Sequence, residues 1–270
     1  MSINTVKSFW NERPCNINHS KKPLGSLEYF EEVTSKKIKA EPHILEFADF
    51  EKYKDKEVLE IGCGIGTALI SFLQAGAKVT AVELSDVSLD LARQRLDVYG
   101  LTADLYLGNA EELSTFLPFK KYDLIYSFGV IHHSPNPKKI IEQLSRYLKS
   151  DGGELKIMLY SYCSYKAFNA MHETNQWDMS TMRDTIRTQA EAQINCPIAF
   201  IYTFDEIREL LSPYFKVEKI WKDHIFIYDI PEYKKGNFIK SKPFENISDQ
   251  ELKKLEREMG WHTLCIASLT

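Results

Sequence analysis

Between residues 56 and 160, five short apolar runs alternate with helix-period segments, and this alternation constrains the fold more than any other feature of the chain. Parallel strands need a crossover connection, so strand and helix in turn are the mark of βαβ units in a mainly parallel sheet. The runs lie at 57–61, 78–82, 104–107, 122–126 and 154–159. Between them, 67–75 places Ala68, Leu69, Phe72 and Leu73 on one face, with Gly76 where a helix C-cap belongs. The stretch 86–99 follows Ser85, a good N-cap, repeats Leu89, Ala92, Leu96 and Tyr99, and stops at Gly100. A third helix follows Pro137, turns Ile140, Ile141, Leu144 and Leu148 inward, and ends at Asp151-Gly152-Gly153.

A chain of 270 residues, 44% hydrophobic, buries one substantial core, so one α/β domain with additions is expected. The additions fall outside the alternation. Residues 1–40 form an N-terminal arm or lid carrying Trp10, Arg13, Pro14, Cys15, Tyr29 and Phe30, and 41–270 form the main domain. Within it, 161–199 is a helical, substrate-side insertion rich in Tyr, Met and Gln, with helix-compatible spacing at Phe168, Met171 and Trp177. Residues 216–221 and 263–267 read as two further strands, and the insertion between them, 223–261, contains a charged, solvated helix at 249–258. Additions of this kind usually select the substrate.

The first strand runs straight into Gly62-Cys63-Gly64-Ile65-Gly66 and then a helix, so three glycines occupy the strand-to-helix turn. Glycine permits positive φ and removes the Cβ, which lets a ligand lie against the backbone at a helix N-terminus. The dinucleotide fingerprint Gly-x-Gly-x-x-Gly requires glycine at 67, where Thr67 stands. The second strand leads to Glu83, whose carboxylate can accept hydrogen bonds from both hydroxyls of a ribose. The loop holds no phosphate-directed Lys or Arg, which suits an adenosine cofactor without a pyrophosphate.

These residues resemble the class I methyltransferases that use S-adenosylmethionine, in particular the quinone and small-molecule branch. The likeness covers roughly 55–160 and includes Glu60, Gly62 to Gly66, Glu83, Gly108-Asn109-Ala110-Glu111, Ser127-Phe128-Gly129, Val130-Ile131-His132-His133 and Leu148-Lys149-Ser150-Asp151-Gly152-Gly153. The resemblance implies a Rossmann-like, seven-stranded, mainly parallel sheet with helices on both faces, an N-terminal helical lid, and insertions after strand five and before the last strand. It also implies that the loop Gly62, Cys63, Gly64 and Gly66 lines the methionine and ribose, that Glu60 supports the amino group, and that Glu83 holds the ribose hydroxyls. Leu84 and Ala110 then flank the adenine, and Ser127 and Phe128 face the methionine end. Asn109 stands where the family often has Asp beside the adenine amino group, so that contact loses its charge.

Methyl transfer from a sulfonium is an in-line displacement on an electrophile already activated, so alignment and exclusion of water are the protein's main tasks and no metal is required. A hydroxyl or protonated amine acceptor needs a base, and His132 and His133 follow the fourth strand where the methyl group should point. The alternative is structural, with one histidine capping the next turn and the other packing under Pro135 and Pro137. Tyr160, joined by Tyr162 and Tyr165, could form an aromatic wall for a cationic or planar acceptor, or pack the core or lid. Trp10 and Arg13 are candidate acceptor-side residues, Arg13 for a carboxylate; the alternative is a loosely docked arm. His262, after Trp261, is expected to pack at the last strand.

The net charge of −4 offers no field for a polyanion, which disfavours long nucleic acids and leaves a small molecule or short peptide as acceptor. Five scattered cysteines without Cys-x-x-Cys spacing suggest reduced thiols and neither disulfides nor zinc. The first eleven residues carry no apolar leader, and no stretch approaches a bilayer span, so a cytoplasmic protein without membrane insertion is expected. Two other readings compete with the enzyme: a non-catalytic S-adenosylmethionine-binding sensor or partner subunit, and an NAD(P)-dependent oxidoreductase, against which Thr67 counts.

Overall fold

A computed structural model of the chain describes residues 2–178, 181–189 and 195–270. Met1, and the parts of the expected insertion at 179–180 and 190–194, lie outside the described residues. The arm forms α1 (Ile3–Glu12) and α2 (Leu27–Ala40), capped by the hydroxyls of Ser2 and Ser26, and α3 (His43–Ala48) follows. The alternating region then runs β1 (Glu57–Ile61), α4 (Thr67–Gln74), β2 (Lys78–Glu83), α5 (Asp86–Tyr99), β3 (Asp104–Leu107), β4 (Leu124–Phe128), α6 (Pro137–Tyr147) and β5 (Glu154–Ser161). The insertion contains α7 (Tyr165–Thr174) and α8 (Met182–Gln189) and leads through β6 (Ile201–Tyr202) and α9 (Phe204–Leu211) to β7 (Phe215–Asp223). Last come α10 (Ile230–Lys235), α11 (Asp249–Met259) and β8 (His262–Leu269).

The main path of the sheet has the order β3-β2-β1-β4-β5-β8-β7, parallel from β3 to β5 and antiparallel where β8 enters between β5 and β7. Strand order reverses between β1 and β4, and open α/β sheets bind ligands beyond the carboxyl ends of the strands at such a switch. The mainly parallel sheet expected from the alternation and the Rossmann-like fold that the resemblance implies are present, with helices on both faces. The strand count differs. Eight strands occur among the described residues where seven are expected, because Ile201 and Tyr202 pair in parallel with Tyr160 and Ser161. A two-residue pairing is too short to produce a periodic signal.

Central strands are buried on both faces, as parallel sheets require: Leu59, Leu124, Ile125, Leu155 and Ile157 are all fully covered. The two faces carry separate apolar layers, one around Phe72, Leu69 and Tyr126, the other around Ile141, Leu144 and Phe215. Helix α2 is integral to the structure and not a loosely docked arm. Its Tyr29, Phe30 and Val33 are buried against Ile65 and Leu91. Arg95, fully buried on α5, donates to the carbonyls of Ile65 and Phe30 and to the hydroxyls of Thr67 and Thr34, joining α2 to the glycine loop. The segment between β7 and β8 forms a small apolar unit of its own around Ile225, Ile227 and Phe244. Helix α11 is solvated on its charged face, while Leu252, Leu255 and Met259 pack partly buried against that unit.

Candidate active site

The turn after β1 takes its shape from its glycines. Gly62, Gly64 and Gly66 have φ of 74°, 55° and 81°, and Gly66 is the N-cap of α4. A Cβ on Gly62 would lie 2.4 Å from Cγ2 of Val130, whereas a Cβ on Gly64 would meet nothing within 4 Å. Gly62 is therefore glycine because the neighbouring loop packs on it, and Gly64 faces open space that a ligand can enter.

Glu83 closes this turn from below. Its Oε2 accepts from the Gly64 backbone N–H at 2.9 Å and its Oε1 from that of Ser85 at 2.8 Å. Each oxygen retains a lone pair, so the geometry that holds the loop still leaves acceptors for two hydroxyls. Glu60, 4% exposed, lies beside it, and its Oε2 is buried without a hydrogen-bond partner. Burial, with the Glu83 charge behind it, pushes Glu60 up to about 8, opposed by Arg95. Burial also raises Glu83, against the backbone N–H groups of Ser85, Gly64 and Leu84, and raises the Cys63 thiol well above its ordinary value. Two buried carboxylates at one turn are an electrostatic cost that a bound cation relieves. The Ser127 hydroxyl at the end of β4 is also fully buried and has no hydrogen-bond partner. Leu84 and Ala110 are half-buried at the adjoining strand ends. The Asn109 side-chain oxygen accepts from the Glu111 N–H and so caps the following turn. Glu111 in turn accepts from Ser134 Oγ at 2.6 Å and from Asn136 N, tying the turns after β3 and β4 together.

His132 and His133 sit on a buried turn, Ile131–His133, at the carboxyl end of β4. His133 Nδ1 lies 2.6 Å from the Ile198 carbonyl, and Cys196 Sγ is 3.4 Å from the same nitrogen. A neutral ring donating from Nδ1 carries its basic lone pair on Nε2. The His132 carbonyl accepts from Phe200 N, so the chain leaving the insertion is moored under both histidines. Tyr160 is sandwiched between His132, at 3.9 Å between ring centroids, and Trp261, at 4.3 Å. Trp10 meets the His133 ring edge-on at 5.1 Å, while its carbonyl accepts from Ser85 Oγ. Asn11 and Lys7 bind Asp86 at 2.8 and 3.0 Å, so α1 lies across the start of α5.

Three candidates lie away from this group. Arg13 is exposed and its guanidinium rests 5.1 Å from the Phe9 ring centroid. Tyr162 packs under Arg183 of α8, and Tyr165 against Phe244. Tyr160, Tyr162 and Tyr165 take separate neighbours, because β5 ends at Ser161 and the chain turns away into α7.

The structure also brings together residues that no sequence motif singles out. His43 Nε2 lies 3.0 Å from His262 Nδ1, which is 4.0 Å from Glu41 Oε2, and His224 stacks on His43. Burial holds His43 down to about 2 and His224 to about 4, and places His262 well below its ordinary value. His262 thus does more than pack at the last strand. The cluster adjoins the same group of rings, with His262 5.5 Å from Phe128 and 6.2 Å from Tyr160 between ring centroids.

Residues 59–154 match the family model described as a methyltransferase domain. Over 100 residues the chain is 34% identical to a ubiquinone biosynthesis O-methyltransferase of Actinobacillus pleuropneumoniae, covering 36% of this chain and 43% of that protein. The similarity to the protein of that name from Nitrosomonas europaea is 34% over 98 residues, 36% of this chain and 41% of that one. The chain thus spans less than half the length of these curated relatives. Among solved structures, it superposes on magnesium protoporphyrin IX methyltransferase of Synechocystis PCC 6803 with bound SAH at a TM-score of 0.59 and 13% identity, covering 98% of this chain and 99% of that one. The PH0226 protein of Pyrococcus horikoshii OT3 superposes with a TM-score of 0.57 at 15% identity, covering 98% and 99%. At such identities the superpositions establish the fold.

Proposed function

Because residues 59–154 form a methyltransferase domain within a Rossmann-like fold of the class I kind, we propose that the protein transfers the methyl group of S-adenosylmethionine to a small-molecule acceptor. The observation that carries this reading is the pair of buried carboxylates, Glu60 with an unpartnered oxygen and Glu83 bound to Gly64 N, beneath a glycine whose Cβ position is open. The cofactor is cationic at its sulfonium and its ammonium, and its ribose offers two hydroxyls. Glu60 and Ser127 are assigned to the methionine end and Glu83 to the ribose. Leu84, Ala110 and the Asn109 amide are assigned to the adenine. The loop Gly62 to Gly66, with Cys63 buried beneath it, supplies backbone contacts. When bound, the cofactor supplies an activated methyl group, and the chain's own residues orient the acceptor and exclude water.

His133 is assigned as the base that takes a proton from a hydroxyl acceptor at Nε2, since its Nδ1 is held by the Ile198 carbonyl. His132 positions Tyr160 by close ring contact at 3.9 Å between centroids, and Trp10 covers the site from the arm. Arg13, Tyr162 and Tyr165 are not assigned to the acceptor. The family match ends at residue 154, before the insertions, so the small acceptor is inferred from the enclosure of the site by Trp10, Tyr160 and Trp261. Among the described residues no helix is long and apolar enough to cross a membrane. All five cysteines are free thiols, which supports a cytoplasmic location.

Calorimetry with S-adenosylhomocysteine and with NAD tests the cofactor assignment. Binding of the former alone is expected, and NAD binding without it overturns the assignment. Incubation with labelled S-adenosylmethionine and extracted metabolites tests transfer; failure to label any compound favours the non-catalytic sensor.

A further inference from the structure

Glu41 and His43 bracket the junction of α2 and α3, while His262 opens β8, 219 positions from His43. The fold nevertheless places one carboxylate oxygen and two imidazole nitrogens within 4.8 Å of one another. Both imidazoles are buried, and the Glu41 Oε2 is buried with no hydrogen-bond partner, since Lys37 pairs with the other oxygen at 2.6 Å. A buried acceptor left unsatisfied calls for an explanation. Donors held about 2.0–2.2 Å from one tetrahedral ion are separated by about 3.4 Å. The separations of 3.0 Å between the histidines and 4.0 Å from His262 to Glu41 fall on either side of that value. His224 packs against both rings with its backbone in the left-handed region at φ 66°, a conformation that non-glycine residues keep only where surrounding structure imposes it.

We propose that Glu41 Oε2, His43 Nε2 and His262 Nδ1 bind one divalent transition-metal ion of the zinc class beside the Phe128 and Tyr160 rings. Two imidazoles and one carboxylate select zinc, cobalt or nickel over magnesium or calcium, which prefer oxygen donors. Three protein ligands leave a coordination position open, the arrangement of catalytic zinc sites. Lys37 opposes a dication here, and its pairing with Oε1 fixes the carboxylate so that Oε2 faces the histidines. The ion would replace the hydrogen bond now shared by His43 and His262. Facing Phe128 and Tyr160, it would offer the open position to an acceptor oxygen; this second step rests on the methyltransferase reading, whereas metal binding does not.

The test uses the full chain without an affinity tag, stripped with chelator and titrated with Zn²⁺ and, separately, with Co²⁺. One equivalent of each is expected, and Co²⁺ should give the visible absorption of a four- or five-coordinate site. Glu41→Gln and His43→Ala should each weaken binding at least about tenfold. The near-isosteric Glu41→Gln decides the matter if His43→Ala fails to fold. No stoichiometric binding to the wild type, or unchanged binding in Glu41→Gln, overturns the proposal. S-adenosylhomocysteine titrated into the metal-free protein keeps the two readings apart, because its binding tests the cofactor site whether or not the metal binds.

Discussion

Glu60 gives the cofactor assignment a test that depends on sign as well as size. Its folded-state carboxyl stands at about 8 against an ordinary 4.5, raised by burial and then by Glu83. A raised pKa means that the folded state holds the proton more tightly than the unfolded state. Between pH 4.5 and 8 Glu60 therefore removes stability as pH rises. If the cofactor's ammonium sits on the Glu60 carboxylate, binding requires the ionised form, and below about 8 each pH unit weakens affinity by about tenfold, or about 1.4 kcal/mol. From pH 6 to pH 8.5 the dissociation constant for S-adenosylhomocysteine should fall by roughly 80-fold. Glu60→Gln has no such proton to lose and reports only the ligand's own titration, so its profile over that range should be nearly flat. Calorimetry in buffers of different ionisation enthalpy should also show about one proton released per wild-type binding event near neutral pH. A flat wild-type profile, or a Gln variant that follows the wild type, refutes the placement of the ammonium on Glu60.

Other perturbations separate folding from binding. Glu83→Ala should weaken S-adenosylhomocysteine binding by about 1.5–3 kcal/mol, measured by calorimetry, through lost ribose hydrogen bonds and a loosened Gly64 turn; unchanged affinity would place the ribose elsewhere. Gly64→Ala should lower stability by only about 1 kcal/mol, as a positive-φ strain, yet abolish measurable cofactor binding. Gly62→Ala should instead lower the urea midpoint markedly, because its Cβ would collide with Val130. Arg95→Met, which removes the donor to the Ile65 carbonyl and the Thr67 hydroxyl while the Phe30 carbonyl keeps the Thr34 hydroxyl, should cost about 1–3 kcal/mol in urea denaturation.

The turn proposed for the cofactor was legible in the sequence because its elements are local. Glu60, Gly62 to Gly66 and Glu83 sit at strand ends, and a strand end is visible where an apolar run meets a glycine or a helix cap. What escaped was set by tertiary geometry. Ile201 and Tyr202 carry no period of their own. Arg13 is near Trp10 in sequence but is the C-cap of α1, with φ −140° and ψ 64°, so its side chain leaves the helical face and lies on Phe9. Glu41, His43, His224 and His262 have no common spacing to recognise. Only the antiparallel entry of β8 beside β5 brings His262 opposite Tyr160 and within reach of α3.

The two helices of the arm are held by different physics, and this bears on how a ligand reaches so enclosed a site. Helix α2 buries Tyr29, Phe30 and Val33 and accepts bonds from the buried Arg95, which also grips the glycine loop. Removing α2 would expose that core and strip the donor's partners, so it must stay in place for the loop to keep its shape. Helix α1 buries Val6 alone and is moored to Asp86 by Lys7 and Asn11 at the surface, where solvent screens the charge. Of the two, α1 has the fewer buried anchors, Val6 together with Trp10, which lies against His133 and whose carbonyl accepts from Ser85 Oγ. On the proposed cofactor assignment, opening at α1 with α2 fixed would admit cofactor and acceptor from the rim without dismantling the glycine turn.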